Sequence, residues 1–202
     1  MQLQRETGRR MRKGTYPGFL LNEKGRVMQF ICMNKTRNLD KKICIKTHNG
    51  EYSDNQKYRS RLTVTWRNCV NKRAVVIGIN PSKANDSKSD RTLTVTARFL
   101  NMYGIDEFLM LNIYENYATN PKDMAKKRRT KFERFHHELK EADIIFVAWG
   151  VSKDHYKTEK SRIKKILKRY QAKLYCAVNE NGNMPVHPRR IRYNYAIARY
   201  NV

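Results

Sequence analysis

Missing from this sequence is any apolar run approaching the ~20 residues of a membrane-spanning helix. The basic opening residues Arg5, Arg9, Arg10, Arg12 and Lys13 have no apolar core behind them, so the N-terminus does not read as a secretory peptide. The cysteines Cys32, Cys44, Cys69 and Cys176 are widely spaced, three of them in apolar runs, and form no CxxC pair. That spacing suits neither a disulfide frame nor a zinc site, and it predicts small buried hydrophobes in a reducing, cytoplasmic setting. His136 and His137 have no Cys at ligand spacing, and neither a metal nor a cofactor is expected. No internal repeat or low-complexity segment occurs.

Acidic residues are scarce as well. Eighteen Asp+Glu stand against 43 Lys+Arg, a formal charge of +25 with a pI near 10.2. A field of that size exceeds what solubility needs and attracts polyanions. Neutralising phosphates releases condensed counterions, a binding term that is independent of base sequence and weakens with salt. The expected partner is therefore nucleic acid, with no membrane and no obligate protein partner. The bland alternative is a solvated cationic surface.

At 202 residues the chain is long enough for one full core. Residues 1–26 are basic and without sustained periodicity, and read as an N-terminal arm ahead of a single domain over 27–202. Met28–Met33, Lys42–Lys46 and Arg61–Trp66 read as N-terminal β additions, with Asn49-Gly50 as a turn between strands. From Arg73 the pattern changes to short, continuously apolar runs: Ala74–Ile79, Phe108–Leu111, Ile144–Ala148 and Leu174–Val178. Such runs predict strands covered on both faces, the signature of a parallel sheet. Helices are predicted between them over Asp90–Met102, Thr130–Ala142 and Ser152–Tyr170. The order β-α-β-α-β-α-β predicts a three-layer α/β sandwich on a mainly parallel four-stranded sheet.

Open α/β sheets bind ligands beyond the carboxyl ends of their strands. The first run there ends in Gly78-Ile79-Asn80-Pro81-Ser82, the second in Asn112 and the third in Trp149-Gly150, while Val186-His187-Pro188 follows the fourth. Asn, Ser and His gathered at one edge, among Gly and Pro that fix the backbone, make a candidate site. Each residue also has a structural reading. An Asn after a strand serves turns, Ser89-Asp90 ahead of a helix is a favoured N-cap, and Trp149 suits a core. Phosphate contacts are expected from Lys83, Lys127, Arg128, Arg129, Arg189, Arg190 and Arg192, and from the basic face of Lys164, Lys165, Lys168 and Arg169. Arg199, with Tyr193, Tyr195 and Tyr200, would add stacking.

The set Tyr58-Arg59, Leu62, Trp66, Asn80-Pro81-Ser82-Lys83-Ala84, Asp90, Thr92, Gly104, Leu111-Asn112, Ala118-Thr119, Pro121, Trp149-Gly150 and His187-Pro188 resembles a domain-of-unknown-function family of bacteria and phages. That resemblance spans about residues 58–190 and implies a bacterial or phage-infected cytoplasm. A more distant resemblance, on Gly78-Ile79-Asn80-Pro81, Asn112, Trp149-Gly150 and His187-Pro188 in that order, is to the mismatch-specific branch of the uracil-DNA glycosylase superfamily.

The second resemblance implies a glycosylase-like fold and an enzyme that flips an unusual, modified or damaged base out of double- or single-stranded DNA and hydrolyses its N-glycosidic bond. Asn80 would position the water, Asn112 would read the polar edge of the base, and His187 would donate to the base oxygen where charge collects. Gly78, Ile79, Pro81, Ser82 and Trp149 would line the base pocket, and Asp86 or Asp90 would supply a carboxylate. The departures are Asn80 where the most active members carry Asp, Arg189-Arg190-Ile191 in place of a Ser-Pro-Leu wedge, and no aromatic after Pro81. The alternative is a non-catalytic DNA or RNA binder whose pocket recognises a base or nucleotide. A nucleotide-processing enzyme would leave the charge unexplained.

Overall fold

A computed structural model describes residues 19–21, 27–29, 35, 43–53, 55–117, 128–151 and 156–202. A hairpin pairs β1 (Phe19–Leu21) with β2 (Val27–Gln29). Phe19–Leu21 falls inside the stretch read as a basic arm, and the remainder of that arm lies outside the described residues. The main sheet has seven strands: β3 (Lys46–Tyr52), β4 (Arg59–Thr65), β5 (Arg73–Gly78), β6 (Glu107–Asn112), β7 (Ile144–Val147), β8 (Leu174–Val178) and β9 (Ala196–Arg199). Their spatial order is β3-β4-β6-β5-β7-β8-β9. The four inner strands β6, β5, β7 and β8 run parallel, while β3, β4 and β9 are antiparallel additions at the edges.

The parallel core follows from the apolar runs. Along β5, Ala74 and Val76 enter one cluster and Val75 and Ile77 the other, so alternate side chains fill opposite faces. One face is covered by α1 (Arg91–Asn101) through Leu93, Ala97 and Leu100, spaced to share one helical stripe. The other is covered by α2 (His136–Glu141) through Leu139 and by α3 (Lys157–Leu167) through Ile163 and Leu167. Helices on both faces of one sheet are the expected three layers.

Three elements depart from the expectation. The helix predicted over Thr130–Ala142 is a 3-10 turn at Phe132–Phe135 leading into α2. Phe132 and Phe135 are both buried, and a 3-10 turn eclipses residues three apart, which points both rings at the core. Asn49-Gly50 is not a turn between strands but a bulge inside β3, where Asn49 adopts φ 52 and the register shifts between His48 and Glu51. The predicted strand over Lys42–Lys46 begins only at Lys46; of the one over Met28–Met33, the residues after Gln29 lie outside the described set. Of the cysteines expected to be buried, Cys176 is, whereas Cys44 and Cys69 are exposed. Cys32 lies outside the described residues. No helix among the described residues is long and apolar enough to cross a membrane.

The chain leaves β5 onto the α1 face and leaves β7 onto the α3 face. A crevice therefore opens between the carboxyl ends of these neighbouring strands, where α/β sheets place their ligands.

Candidate functional site

The end of β5 is held from both sides. Ile113 N–H donates to Gly78 O at 3.0 Å, Tyr114 N–H to Ile79 O at 2.8 Å and Ala148 N–H to Ile77 O at 2.9 Å. Gly78 pairs with Asn112 across the strands. A Cβ at position 78 would stand 2.7 Å from Asn112 Oδ1 and 2.6 Å from Met110 Cε, so only glycine lets the amide approach this closely. Asn112 is 1% exposed, and among the described residues neither Nδ2 nor Oδ1 has a hydrogen-bond partner. A buried amide with both ends unsatisfied is costly, and its donor and acceptor match the edge of a nucleobase.

Asn80 is partly exposed just beyond, its Nδ2 donating to Pro81 O at 3.4 Å. Pro81 is buried. The Ser82 hydroxyl is buried without a partner among the described residues, and Lys83 is exposed.

On the other side of β5 a cavity of about 770 Å³ is bounded by Ile79, Trp149, Gly150, Asn183, His187 and Arg190. Gly150, at φ +70, brings the chain so close to His187 that a Cβ there would lie 3.0 Å from the histidine Cβ. His187 Nδ1 accepts from Arg189 N–H at 3.3 Å, which places the proton of the neutral ring on Nε2. Burial, then the charges of Arg189, Arg190 and Lys160, hold His187 below the usual histidine range. It is thus a neutral Nε2–H donor beside a cationic rim.

Lys160 donates to Gly150 O at 2.8 Å and Trp149 O at 3.5 Å, and burial, then Lys164, brings its ammonium down to about 8. Nothing in the local sequence sets Lys160 apart from its basic neighbours on α3. Only the packing of α3 beneath Gly150 does so.

The predicted residues thus divide. Ile79, Trp149 and His187 meet at the cavity, while Asn112 lies on β6, and the end of β5 joins the two. Trp149 is 1% exposed and set edge-on to Tyr200 at 5.9 Å, so it is a packed wall of the cavity. Asp90 accepts from Leu93 N–H at 3.0 Å and caps α1, the structural reading of that residue.

Of the expected phosphate contacts, Arg189, Arg190 and Arg192 are exposed. Arg128 and Arg129 are exposed too, but engage Glu115 at 2.7 Å and Glu159 at 3.0 Å. Lys127 lies outside the described residues. Tyr200 is buried against Trp149, and Arg199 lies 4.6 Å over the Tyr175 ring, so neither is free for stacking on bases. Arg59 is an unexpected addition. It is 1% exposed at the start of β4, and it is one of 43 cationic residues, with no local signal that it is buried.

A second cavity of about 700 Å³ lies at the opposite ends of the strands. Three of its four acids are engaged, Glu107 with Arg73 at 3.1 Å, Glu138 with Arg61 at 3.0 Å and Asp143 with the Arg73 N–H at 2.8 Å, whereas the carboxyl-end crevice gathers the residues singled out in the sequence and is the candidate site.

Residues 59–189 match the family described as a protein of unknown function (DUF1643), and the chain belongs to that family. The stretch from Arg59 to Arg189 contains every residue of the carboxyl-end site just described except Arg190 and Arg192. No curated protein and no solved structure matches the chain.

Proposed function

We propose that this protein is a DNA glycosylase-like enzyme that removes an unusual, modified or damaged base and leaves an abasic site. The observation that carries the reading is Asn112, a buried amide whose donor and acceptor are both unspent among the described residues, at the carboxyl end of a parallel sheet. The net charge of +25 supports a polyanionic substrate. In hydrolysis the glycosidic electron pair leaves with the base, the water oxygen bonds to C1′ and the water proton passes to solvent. Asn80 orients that water, and the His187 Nε2–H, neutral at pH 7, donates to the departing base as negative charge develops. Val151, an apolar side chain 72% exposed at the cavity rim, would on this reading fill the space the flipped base vacates.

One observation favours the alternative of a reader that binds a base without cleaving it. Asp90 is committed to the α1 cap and Asp86 accepts from Gly50 N–H at 2.8 Å, which leaves Asn80 as a weak substitute for a carboxylate. The deciding experiment incubates the protein, beside Asn80→Ala and His187→Ala, with duplex and single-stranded DNAs carrying uracil, mismatches and modified pyrimidines, and scores alkali-labile abasic sites. Product formed by wild type and lost in both variants establishes the enzyme. Absence of product across the panel, with base-selective binding intact, establishes the reader instead.

A further inference from the structure

Arg59 is a buried cation whose charge has no ionic partner within bonding distance among the described residues. Its Nη1 donates to the Ala84 carbonyl, which fixes the plane of the guanidinium. Nε and Nη2, the two nitrogens whose N–H bonds run parallel along one edge, make no hydrogen bond among the described residues. That edge has the geometry that grips two oxygens of one oxyanion.

Two residues before Ala84, the buried Ser82 hydroxyl is likewise without a partner among the described residues. Tyr117 stands beside the guanidinium with its ring centre 5.6 Å away and a side-chain hydrogen bond to it, and the Asp90 carboxylate counters the charge across space. A guanidinium cannot shed its proton to escape burial, so a site of this kind is completed by an anion.

The position suits a nucleotide. Arg61 pairs with Leu111, the residue before Asn112, and Arg59 N–H donates to Glu115 O at 2.8 Å, so Arg59 flanks the segment that leaves Asn112. We propose that the Nε–Nη2 edge of Arg59, with the Ser82 hydroxyl, is a phosphate subsite that holds the phosphate of a nucleotide whose base reaches Asn112. That phosphate is either a diester of a DNA strand or the monoester of a free nucleotide. The base placement rests on the reading of Asn112 given above, whereas phosphate binding at Arg59 does not require base cleavage.

The test measures binding of inorganic phosphate, thymidine, thymidine 5′-monophosphate and a short single-stranded oligonucleotide by titration calorimetry at fixed ionic strength. The proteins are wild type, Arg59→Lys and Ser82→Ala. Arg59→Lys keeps the net charge of +25, so the general field is unchanged and only the fork is lost. One phosphate per chain is expected in wild type, weakened about tenfold or more by Arg59→Lys and roughly threefold to tenfold by Ser82→Ala. Losses seen with the oligonucleotide identify a strand phosphate, and losses confined to the monophosphate identify a free nucleotide. Equal phosphate affinity in wild type and Arg59→Lys overturns the subsite. If Arg59→Lys does not fold, equal affinity in wild type and Ser82→Ala does so. Fork-dependent phosphate binding without base release removes the glycosylase reading and keeps the subsite, whereas base release without fork-dependent binding does the reverse.

Discussion

Replacing Asn112 with leucine should stabilise this protein while disabling it. The two side chains have nearly the same shape, and Asn112 is 1% exposed with neither end of its amide hydrogen-bonded among the described residues. Burying an amide without compensation costs about 1–3 kcal/mol, so its removal should return a similar amount. For a chain of 202 residues, each kcal/mol moves the melting temperature by about 2–4 °C, giving an expected rise of roughly 2–12 °C. Gly78 leaves room for the isosteric swap, since no Cβ intrudes from that side. Thermal and urea denaturation of Asn112→Leu beside wild type read the stability, and the abasic-site assay reads the function, which should fall about tenfold to a hundredfold. A melting temperature that falls by more than about 2 °C refutes the reasoning, because the amide would then be serving the fold rather than awaiting a ligand. A gain in stability with a loss of activity is the trade expected of a binding group.

Two further outcomes concern charge. His187 is held below its ordinary value of 6.5 when folded, so the unfolded chain takes up a proton first as pH falls. Its contribution is therefore complete above about pH 6.5 and is lost below it, and His187→Gln should flatten the fall in urea midpoint between pH 7 and pH 5. An unchanged slope in that variant would show that the ring is not buried as described. Lys160 titrates at about 8 when folded, against 10.5 ordinarily, so between these values the unfolded chain binds more protons and stability rises with pH. In Lys160→Met that rise between about pH 8 and pH 10.5 should shrink; if it persists in full, another group is responsible.

The four inner strands were legible in the sequence because burial on both faces leaves a continuous apolar run, as in Ala74–Ile79 and Ile144–Ala148. Asp90 was legible as a cap, because capping is a contact between residues three apart. Asn80, Asn112, Trp149 and His187 could be placed at one edge by the same logic, since each follows an inner strand or its loop. β9 was not legible: Ala196–Arg199 is four residues long and becomes a strand only by pairing with β8. Nor was the bulge at Asn49, which depends on register against β4.

By itself, then, the sequence determined the charge, the parallel core and which residues follow the carboxyl ends of its strands. Composition and periodicity report what each residue contributes alone or with near neighbours. The tertiary structure alone decided that Arg59 is buried with one edge unpaired among the described residues, that Asn112 has no partner among them and that the proton of His187 sits on Nε2. Those properties arise from desolvation and hydrogen bonding set by how the elements pack, often between residues distant in the chain, and one basic or amide residue reads like any other until its surroundings are fixed.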